Sequence, residues 1–348
     1  MTAPRVTVFT AAYNGAALIE ETLASLKAQT FTDFEIVVVD DKSTDDTLAV
    51  LRRWDDPRLR VIEAEVNGGP VRARNLAVSH ARGAYLAALD QDDLCLPERL
   101  AKQVAYLDAH PGTVLVGTAL ALLKDGVVQP ANYPAHTTPA LIRWLLGIGN
   151  PLAWSTVMVR AEAAKRLTPF TDPDRRYAED FDLYHRLRSF GDIARVDEEL
   201  VLYRLHGDNA SIKYEATMTG NAFKVLRDAY RPVFGAETED AATLVVTHVM
   251  TRKPVPDRET LARLGAVLRR LQDAHFAAHP MSRDDHKLIR WETARRWAGV
   301  VRASLRTGTI TLADAVAVRP DHLGLGHAGI DELLWSRLIG AVRSKRAA

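Results

Sequence analysis

The feature that most constrains the fold is a repeated alternation of short apolar runs and helical patterns over the first hundred residues. The apolar runs predict strands at residues 5–10, 34–41, 59–63 and 85–89. Helical patterns lie between them, at residues 17–28, 44–54 and 71–81. This rhythm predicts an α/β fold with a mixed, mostly parallel sheet and helices on both faces.

The rest of the chain divides into two regions of different character. Residues 112–211 are mixed, with predicted strands at 113–116, 155–159 and 194–203 and a helix at 180–189. From about residue 214 the pattern is helical, with segments near 216–230, 240–250, 260–274, 284–305 and 331–342. We therefore expect one domain over residues 1–212, with halves 1–111 and 112–212, followed by a helical subdomain over residues 213–348.

Composition and charge exclude several kinds of partner. Of 348 residues, 45 are Lys or Arg and 44 are Asp or Glu, so a formal charge of +1 gives no reason to expect nucleic acid. The longest apolar run, residues 114–123, is about half of the length that crosses a bilayer, and the N-terminus has no signal-peptide pattern. We expect no transmembrane segment and a cytoplasmic protein. Cys95, the lone cysteine, excludes an internal disulfide, and a buried thiol explains it better than a nucleophile does.

Clusters of polar and turn-forming residues follow the predicted strands. They cover residues 13–15, 40–43, 67–70 and 90–93. In an open α/β sheet, ligands bind outside the carboxyl ends of the strands. The four clusters are therefore predicted to converge on one cleft.

The densest of these clusters contains Asp90, Asp92 and Asp93. Three carboxylates within four residues repel one another unless a cation or hydrogen-bond donors compensate them. Oxygen ligands suit Mg²⁺ or Mn²⁺, which complete their coordination with substrate phosphates and water. The alternative is a solvated acidic turn that caps a helix over residues 97–109.

Two further clusters suggest nucleotide recognition. Asp40 and Asp41 end the second strand, where a carboxylate can accept hydrogen bonds from a base or a ribose, or can simply cap the next helix. The Gly-rich turn at 67–70 precedes a helix that carries Arg72 and Arg74, a combination that favours an anion. Neither a Walker nor a Rossmann fingerprint occurs there.

The second half of the first domain carries two more candidates. Glu179 and Asp180 open a helix, where a carboxylate can act as a general base or merely favour the helix dipole. Arg204 and His206 follow a predicted strand and can hold pyrophosphate and a metal, respectively. The alternative for His206 is a structural or solvated side chain in a loop.

Taken in order, these segments resemble the family 2 glycosyltransferases, whose fold is the nucleotide-binding GT-A type. The resemblance covers about residues 4–211. Its matching motifs are residues 6–14, 35–45, 67–69 with 73–75, 81–85, 90–92, 179–180 and 203–206. The first strand departs slightly, because Thr10-Ala11-Ala12 stands where a proline is common before the Tyr-Asn pair.

The resemblance implies a role for each matching residue. The donor nucleotide, a UDP-sugar in this family, is expected against Thr10, Ala11, Tyr13, Asp40, Arg74 and Asp90. A Mn²⁺ or Mg²⁺ ion is expected on Asp92, with Asp90 beside it and His206 as a further ligand, while Arg204 holds the diphosphate. Asp180 is the expected base, with Glu179 next to it. The implied activity is an inverting hexosyl- or N-acetylhexosaminyltransferase acting on a hydroxyl.

Several alternatives stay open at this point. A sugar nucleotidyltransferase would be expected to have a basic triphosphate loop near the first strand, and this chain has none. A non-catalytic nucleotide-sugar binding protein would have no reason to keep Asp90, Asp92 and Asp180 together. Acceptors remain open among glycans, glycolipids and small natural products.

The C-terminal helices carry tryptophans and arginines: Trp291, Trp297, Trp335, Arg290, Arg295, Arg296, Arg302 and Arg306. Core packing and a solvated basic face explain them most simply. The other interpretations are a cover over the acceptor site, a contact with a phosphate-bearing acceptor, a homodimer interface, or peripheral contact with a membrane.

Overall fold

The computed structural model describes residues 3–207, 209–321, 323 and 336. The chain divides into two compact units. The first comprises Met1–Ile142 and Asn150–Met218, and the second comprises Arg143–Gly149 and Thr219–Ala348. The helix expected at residues 331–342 lies outside the described residues, of which only Ser336 falls in that range. Among the described residues, no helix is both long enough and apolar enough to span a membrane.

The first unit is built on one mixed sheet. Its strands are β1 Val6–Ala12, β2 Phe34–Asp40, β3 Leu59–Glu63, β4 Tyr85–Ala88, β5 Leu94–Cys95, β6 Thr113–Lys124, β7 Val127–Pro130, β8 Met158–Arg160 and β9 Asp192–Leu205. Their order is β3-β2-β1-β4-β8-β6-β9-β5, with β7 paired to β6. Neighbours among β1 to β4 run parallel, whereas β8 is antiparallel to both β4 and β6.

Helices connect the strands of the first unit and continue into the second. They are α1 Ile19–Lys27, α2 Thr47–Arg53, α3 Pro70–Ser79, α4 Arg99–Ala109, α5 Pro139–Leu146, α6 Ala161–Ala164, α7 Glu179–Leu187, α8 Ala210–Lys213, α9 Glu215–Phe234, α10 Thr238–Leu244, α11 Arg258–Ala278, α12 Arg283–Thr307 and α13 Leu312–Ala317. Short 3₁₀ turns occur at Trp154–Thr156, Pro173–Arg175 and Gly235–Glu237, and a π-helix follows α10 at Val245–Met250.

Side chains alternate across the sheet, and both faces are covered. Val6 and Val8 belong to a core cluster with residues of α1, α2 and α4. Phe9 points to the opposite face, where its ring packs edge-on against Trp154 and Phe170. Burial on both faces explains why β1, β2 and β4 consist mostly of apolar residues. The predicted fold class, a mixed sheet with helices on both faces and a helical C-terminal region, is confirmed.

The second unit has a helical core of its own. Apolar side chains of α11 and α12 are buried, among them Leu264, Leu268 and Val301. The Tyr230 hydroxyl donates to the carbonyl of Gly147 at 2.6 Å, and the ring of Trp144 lies 5.4 Å from that of His275. The short segment 143–149 therefore packs with helices that follow it by more than eighty residues.

Two predicted elements differ from the structure. The strand expected at residues 155–159 is instead a 3₁₀ turn followed by the three-residue β8. Thr156 makes this turn, because both its backbone N–H and its hydroxyl donate to the carbonyl of Ala153. The helix expected at residues 240–250 changes after Leu244 into a π-helix.

Candidate active site

The polar clusters at the strand ends are joined by direct hydrogen bonds. The Gln91 side chain accepts from the backbone N–H of Tyr13 at 2.9 Å and donates to the carbonyl of Tyr13 at 3.0 Å. Asn14 accepts from the N–H of Thr44 at 2.8 Å. The ends of β1, β2 and β4 therefore meet on one edge of the sheet, as their parallel pairing requires.

The two aspartates at the end of β2 have different surroundings, although both are buried. The carboxylate of Asp41 accepts from the N–H groups of Gly68 and Gly69 at 2.8 and 2.7 Å, and so holds the Gly-rich turn. Asp40 accepts from the N–H of Ser43 with one oxygen, and its buried Oδ1 has no hydrogen-bond partner. A buried carboxylate oxygen without a donor is an unsatisfied acceptor at the carboxyl end of β2.

Arg74 is the central cation of the site. Its guanidinium donates to Glu179 and, at 2.7 Å, to Asp90, and it lies 4.7 Å from the ring centre of Trp154. Burial favours the neutral form of the guanidinium, but the charges of Asp90 and Glu179 outweigh this effect and raise the pKa of Arg74. One side chain of α3 thus connects the acidic end of β4 with the start of α7.

The acidic turn after β4 meets the end of β9. Nε2 of His206 lies 2.8 Å from Oδ2 of Asp92, and Asp93 accepts from the backbone N–H of Arg204 at 2.9 Å. Burial and the charge of Asp90 raise the pKa of Asp92. Burial, with the charges of Asp92 and Asp90, raises the pKa of Asp93 well above its usual range. Three carboxyl groups are therefore crowded at this edge, where burial and mutual repulsion disfavour their charged forms.

The Arg204 side chain binds protein groups on this turn. Nε donates to the carbonyl of Asp92 at 2.9 Å, and Nη2 donates to Glu21 at 2.7 Å. Asn209, which is buried, accepts from the N–H of His206 and donates to the carbonyl of Arg204. The loop that carries His206 is consequently fixed beside the acidic turn.

Asp180 lies at the start of α7 and keeps part of its surface exposed. It accepts from the Asn150 side chain at 2.8 Å and from the N–H of Phe181 at 2.7 Å. Burial by the surrounding protein and the charge of Glu179 raise the pKa of Asp180 to about 7, against the opposing effects of these donors and Arg74. Such a carboxyl group can gain and lose a proton near neutral pH.

The remaining candidates of the sequence lie on or just after β1. Thr10 is buried within the strand, Ala11 is part-buried, and Tyr13 is exposed beyond the strand end. The structure thus brings Tyr13 to Gln91 in the acidic turn, and Asp90 to Arg74 and Glu179. It joins Asp92 to His206 and Arg204. No hydrogen bond links Asp180 to the acidic turn itself among the described residues.

Several residues of the site had no distinct signal in the sequence. Asn150 and Asn209 stand outside the predicted elements and Ser155 begins a predicted strand, yet they hold Asp180, the loop of His206 and the N–H of Asp90, respectively. Gln91 does have a signal, because it stands inside the acidic motif. Trp154, whose ring lies against the Arg74 guanidinium, immediately precedes the segment predicted as a strand.

The structure limits the kind of metal site that is available. In the part of the chain that it describes, no three side chains among His, Cys, Asp and Glu are arranged to hold one ion. The candidate ligands are the paired Asp92 and His206, and Asp90, which is bound to Arg74. This set suits an ion that takes one or two protein carboxylates and receives its other ligands from phosphate and water.

Comparison with known proteins identifies the family. Residues 7–167 match the model of glycosyl transferase family 2. A glycosyltransferase from Haemophilus influenzae is 30% identical over 235 residues, which are 65% of this chain and 73% of the relative. This protein has the GT-A fold of a glycosyltransferase, and the chain belongs to family 2.

Two solved structures share the fold. One is TarS 1-349 from S. aureus in complex with UDP-GlcNAc, with a TM-score of 0.54, 20% identity and coverage of 98% of this chain and 92% of that chain. The other is the mannosyltransferase PcManGT from Pyrobaculum calidifontis in complex with GDP-Man and Mn²⁺, with a TM-score of 0.54, 20% identity and coverage of 97% and 89%. At this level of identity the likeness concerns the fold alone.

Proposed function

We propose that this protein is an inverting glycosyltransferase that moves a hexosyl or N-acetylhexosaminyl group from a UDP-sugar to an acceptor hydroxyl. The observation that carries the proposal is Asp180. It is a part-exposed carboxyl group with a pKa of about 7, and it lies beside the Arg74 cluster that also contains Asp90. A general base works best when its pKa is near the operating pH.

The environment of Asp40 supports a role in binding the nucleobase at the end of β2. Its Oδ1 is buried without a hydrogen-bond partner, and the exposed ring of Tyr13 follows the adjacent strand. Uracil carries an imide N–H that can donate to such an oxygen, and an aromatic ring can cover the face of the base. TarS was solved with UDP-GlcNAc, which supports uridine, whereas PcManGT was solved with GDP-Man.

The donor set at the acidic turn fits a divalent metal. Asp92 would be the main protein ligand, with Asp90 beside it and His206 as a further ligand once they exchange their present partners, and such oxygen and nitrogen groups accept Mn²⁺ or Mg²⁺. PcManGT was solved with Mn²⁺. When bound, such an ion would stabilise negative charge on the diphosphate of the donor. Because the described side chains form no three-ligand cluster, the ion would take most of its coordination from the phosphates and water.

Protein side chains account for the proton transfer and for the relative positions of the donor and the general base. Asp180 takes the proton of the acceptor hydroxyl as its oxygen attacks the anomeric carbon from the face opposite the diphosphate. The new glycosidic bond forms while the bond to the diphosphate breaks, and the nucleoside diphosphate leaves with the electron pair. Arg74 binds both Asp90, on the side of the sugar donor, and Glu179, which is next to the base Asp180. This bridge keeps the donor and the base at a fixed distance from each other.

Arg204 contributes to this scheme through the loop it braces. Its guanidinium binds the carbonyl of Asp92 and the carboxylate of Glu21. A direct bond from Arg204 to the diphosphate, as the family resemblance implies, would require exchange of one of these two partners. Arg204 is therefore proposed to fix the acidic turn first and to neutralise phosphate second.

Calorimetric titration with UDP, dTDP and GDP, each with Mn²⁺, Mg²⁺ or EDTA, tests the donor site. We expect UDP to bind with Mn²⁺ or Mg²⁺ and to lose most of its affinity in EDTA. Release of UDP from UDP-glucose, UDP-galactose or UDP-GlcNAc then tests turnover. Binding without turnover would favour the non-catalytic alternative, and absence of nucleotide binding would overturn the proposal.

The remaining expectations stay predictions. They are the boundary after residue 212 and a cytoplasmic location, and peripheral membrane contact and a homodimer through the C-terminal helices stay open as alternatives. A sugar nucleotidyltransferase is disfavoured by membership of family 2 and by the absence of Lys and Arg from residues 11–15.

A further inference from the structure

A pair of tyrosine rings is stacked immediately before the proposed base. The rings of Tyr177 and Tyr214 are 4.2 Å apart between centroids and 8° from parallel. Tyr177 precedes Asp180 by three residues, and three residues span at most about 10 Å. The pair therefore lies within reach of an acceptor that binds at Asp180.

The backbone of Tyr177 has an unusual conformation for a bulky residue. Its φ is +69°, in the left-handed region, which is unfavourable for an ordinary side chain. Burial and a hydrogen bond with Tyr214 raise the pKa of Tyr177 to about 12. The ring is thus held in one orientation by its partner, at a position where glycine or asparagine would be easier to accommodate.

Cations flank the pair and connect it to the Gly-rich turn. The Arg176 guanidinium lies 4.9 Å from the ring centre of Tyr177, and Lys213 lies 5.9 Å from that of Tyr214. A Cβ on Gly69 would lie 3.3 Å from the guanidinium carbon of Arg176. Arg176 therefore lies close both to the turn held by Asp41 and to the ring of Tyr177.

We propose that Tyr177 and Tyr214 form the acceptor subsite and bind a sugar ring of a carbohydrate acceptor. This rests on the proposed function and extends it to the class of acceptor. A sugar ring offers C–H groups to an aromatic surface and hydroxyls to the two phenol groups, which suits amphipathic rings of this kind. Tyr214 is 36% exposed, so part of the pair is open to a ligand.

The test separates transfer to sugar from transfer to water. The probes are UDP-sugars as donors and a panel of p-nitrophenyl glucosides, galactosides, mannosides and N-acetylglucosaminides as acceptors. For Tyr214→Ala we expect the acceptor KM to rise about tenfold, with donor hydrolysis by water and UDP affinity unchanged. Tyr214→Trp should keep a KM close to that of the wild type, because it retains an aromatic surface.

A matched control is Tyr106→Ala. Tyr106 is also stacked on a neighbouring ring, that of His110, at a centroid distance of 4.2 Å, and it lies on α4. Its removal should leave the acceptor KM unchanged. If Tyr214→Ala lowers donor hydrolysis as much as transfer, the pair is a structural contact and the inference is overturned.

Two other results would also reject the inference. If the wild-type protein hydrolyses a UDP-sugar but transfers to no glycoside of the panel, the assignment to a carbohydrate acceptor is wrong. If it neither binds UDP nor hydrolyses any donor, the proposed function is wrong, and the inference that rests on it is wrong as well. Donor hydrolysis therefore distinguishes failure of the subsite from failure of the enzyme.

Discussion

Adjacent carboxylates of the site differ because their partners differ. Glu179 is buried and pairs with Arg74, whereas Asp180 is part-exposed and its nearest donors are an amide side chain and a backbone N–H. An ion pair favours the charged form of a carboxylate, and burial without a cation disfavours it. Glu179 is therefore suited to hold Arg74, and Asp180 is suited to exchange a proton.

Asp180→Asn should lower kcat by about 10³-fold or more, because the amide cannot accept the acceptor's proton. In the wild-type protein the base must be deprotonated to act. Since the pKa of Asp180 is raised to about 7, kcat/KM should rise with pH through pH 7 and level off above it. Initial rates of transfer between pH 5 and pH 9 measure this dependence.

Asp182→Asn is the control for this substitution. Asp182 lies on the same helix, and its carboxylate pairs with Arg186 at 2.7 Å. This variant should keep the wild-type pH profile. UDP affinity should stay within about twofold in Asp180→Asn, because Asp180 is a base and not a ligand of the donor. An Asp180→Asn enzyme that retained most of its rate would remove Asp180 from the mechanism.

At the scale of secondary-structure elements, the backbone just before β4 lies very close to the backbone of β1, and this contact fixes where β4 begins. Tyr85 pairs with Val6 in the parallel register of β1 and β4, and the chain enters β4 past Gly83. The N–H of Gly83 donates to the hydroxyl of Thr7 at 2.9 Å. The position at which the chain enters β4 also determines where this strand ends, and Asp90 and Asp92 follow that end.

Gly83→Ala should destabilise the protein by about 1–3 kcal/mol. A Cβ at this position would lie 2.4 Å from the backbone nitrogen of Thr7 and 2.6 Å from the carbonyl carbon of Val6, so the strand itself would have to move. Urea denaturation measures the loss of unfolding free energy.

Gly112→Ala is the matched control, because a Cβ there meets nothing within 4 Å. Its effect on the free energy of unfolding should stay below about 0.5 kcal/mol. Equal stabilities of the Gly83→Ala and Gly112→Ala variants would contradict the proposed close approach.

For the molecule as a whole, the distribution of charge matters more than its sum. The formal charge is +1, yet Asp90, Asp92, Asp93, Glu179 and Asp180 lie around one cleft with Arg74 as the cation that binds two of them. A divalent ion and a nucleotide that bind only the folded protein add to its stability in proportion to RT ln(1 + [L]/Kd).

UDP together with Mn²⁺ should raise the melting temperature, and at about 100 times Kd the stabilisation is about 2.7 kcal/mol. Asp92→Ala should lose this increase, because the proposed metal-binding carboxylate is removed. Differential scanning calorimetry with and without EDTA measures this increase in melting temperature.

Asp33→Ala serves as the control, since Asp33 is exposed just before β2, at the opposite end of that strand from Asp40. It should retain the full increase. An Asp92→Ala protein that was stabilised as strongly as the wild type would exclude Asp92 from the metal site.

Much of the fold and the outline of the site could be predicted from sequence, because both depend on local patterns. Runs of Val, Ile and Phe in β1 and β2 define strands that are buried on both faces. Polar clusters after those strands had to meet at one sheet edge, since parallel strands end together. The order of the motifs was sufficient for the family.

Only the tertiary structure decided which of two neighbouring carboxylates binds a given partner. Arg74 binds Glu179, 105 positions away, rather than Asp180, and the Gly-rich turn is held by Asp41 rather than Asp40. Neighbouring carboxylates look alike in a sequence, because their periodicity and composition are the same. Their roles differ through burial and distance to a cation, which exist only after segments remote in the chain have packed together.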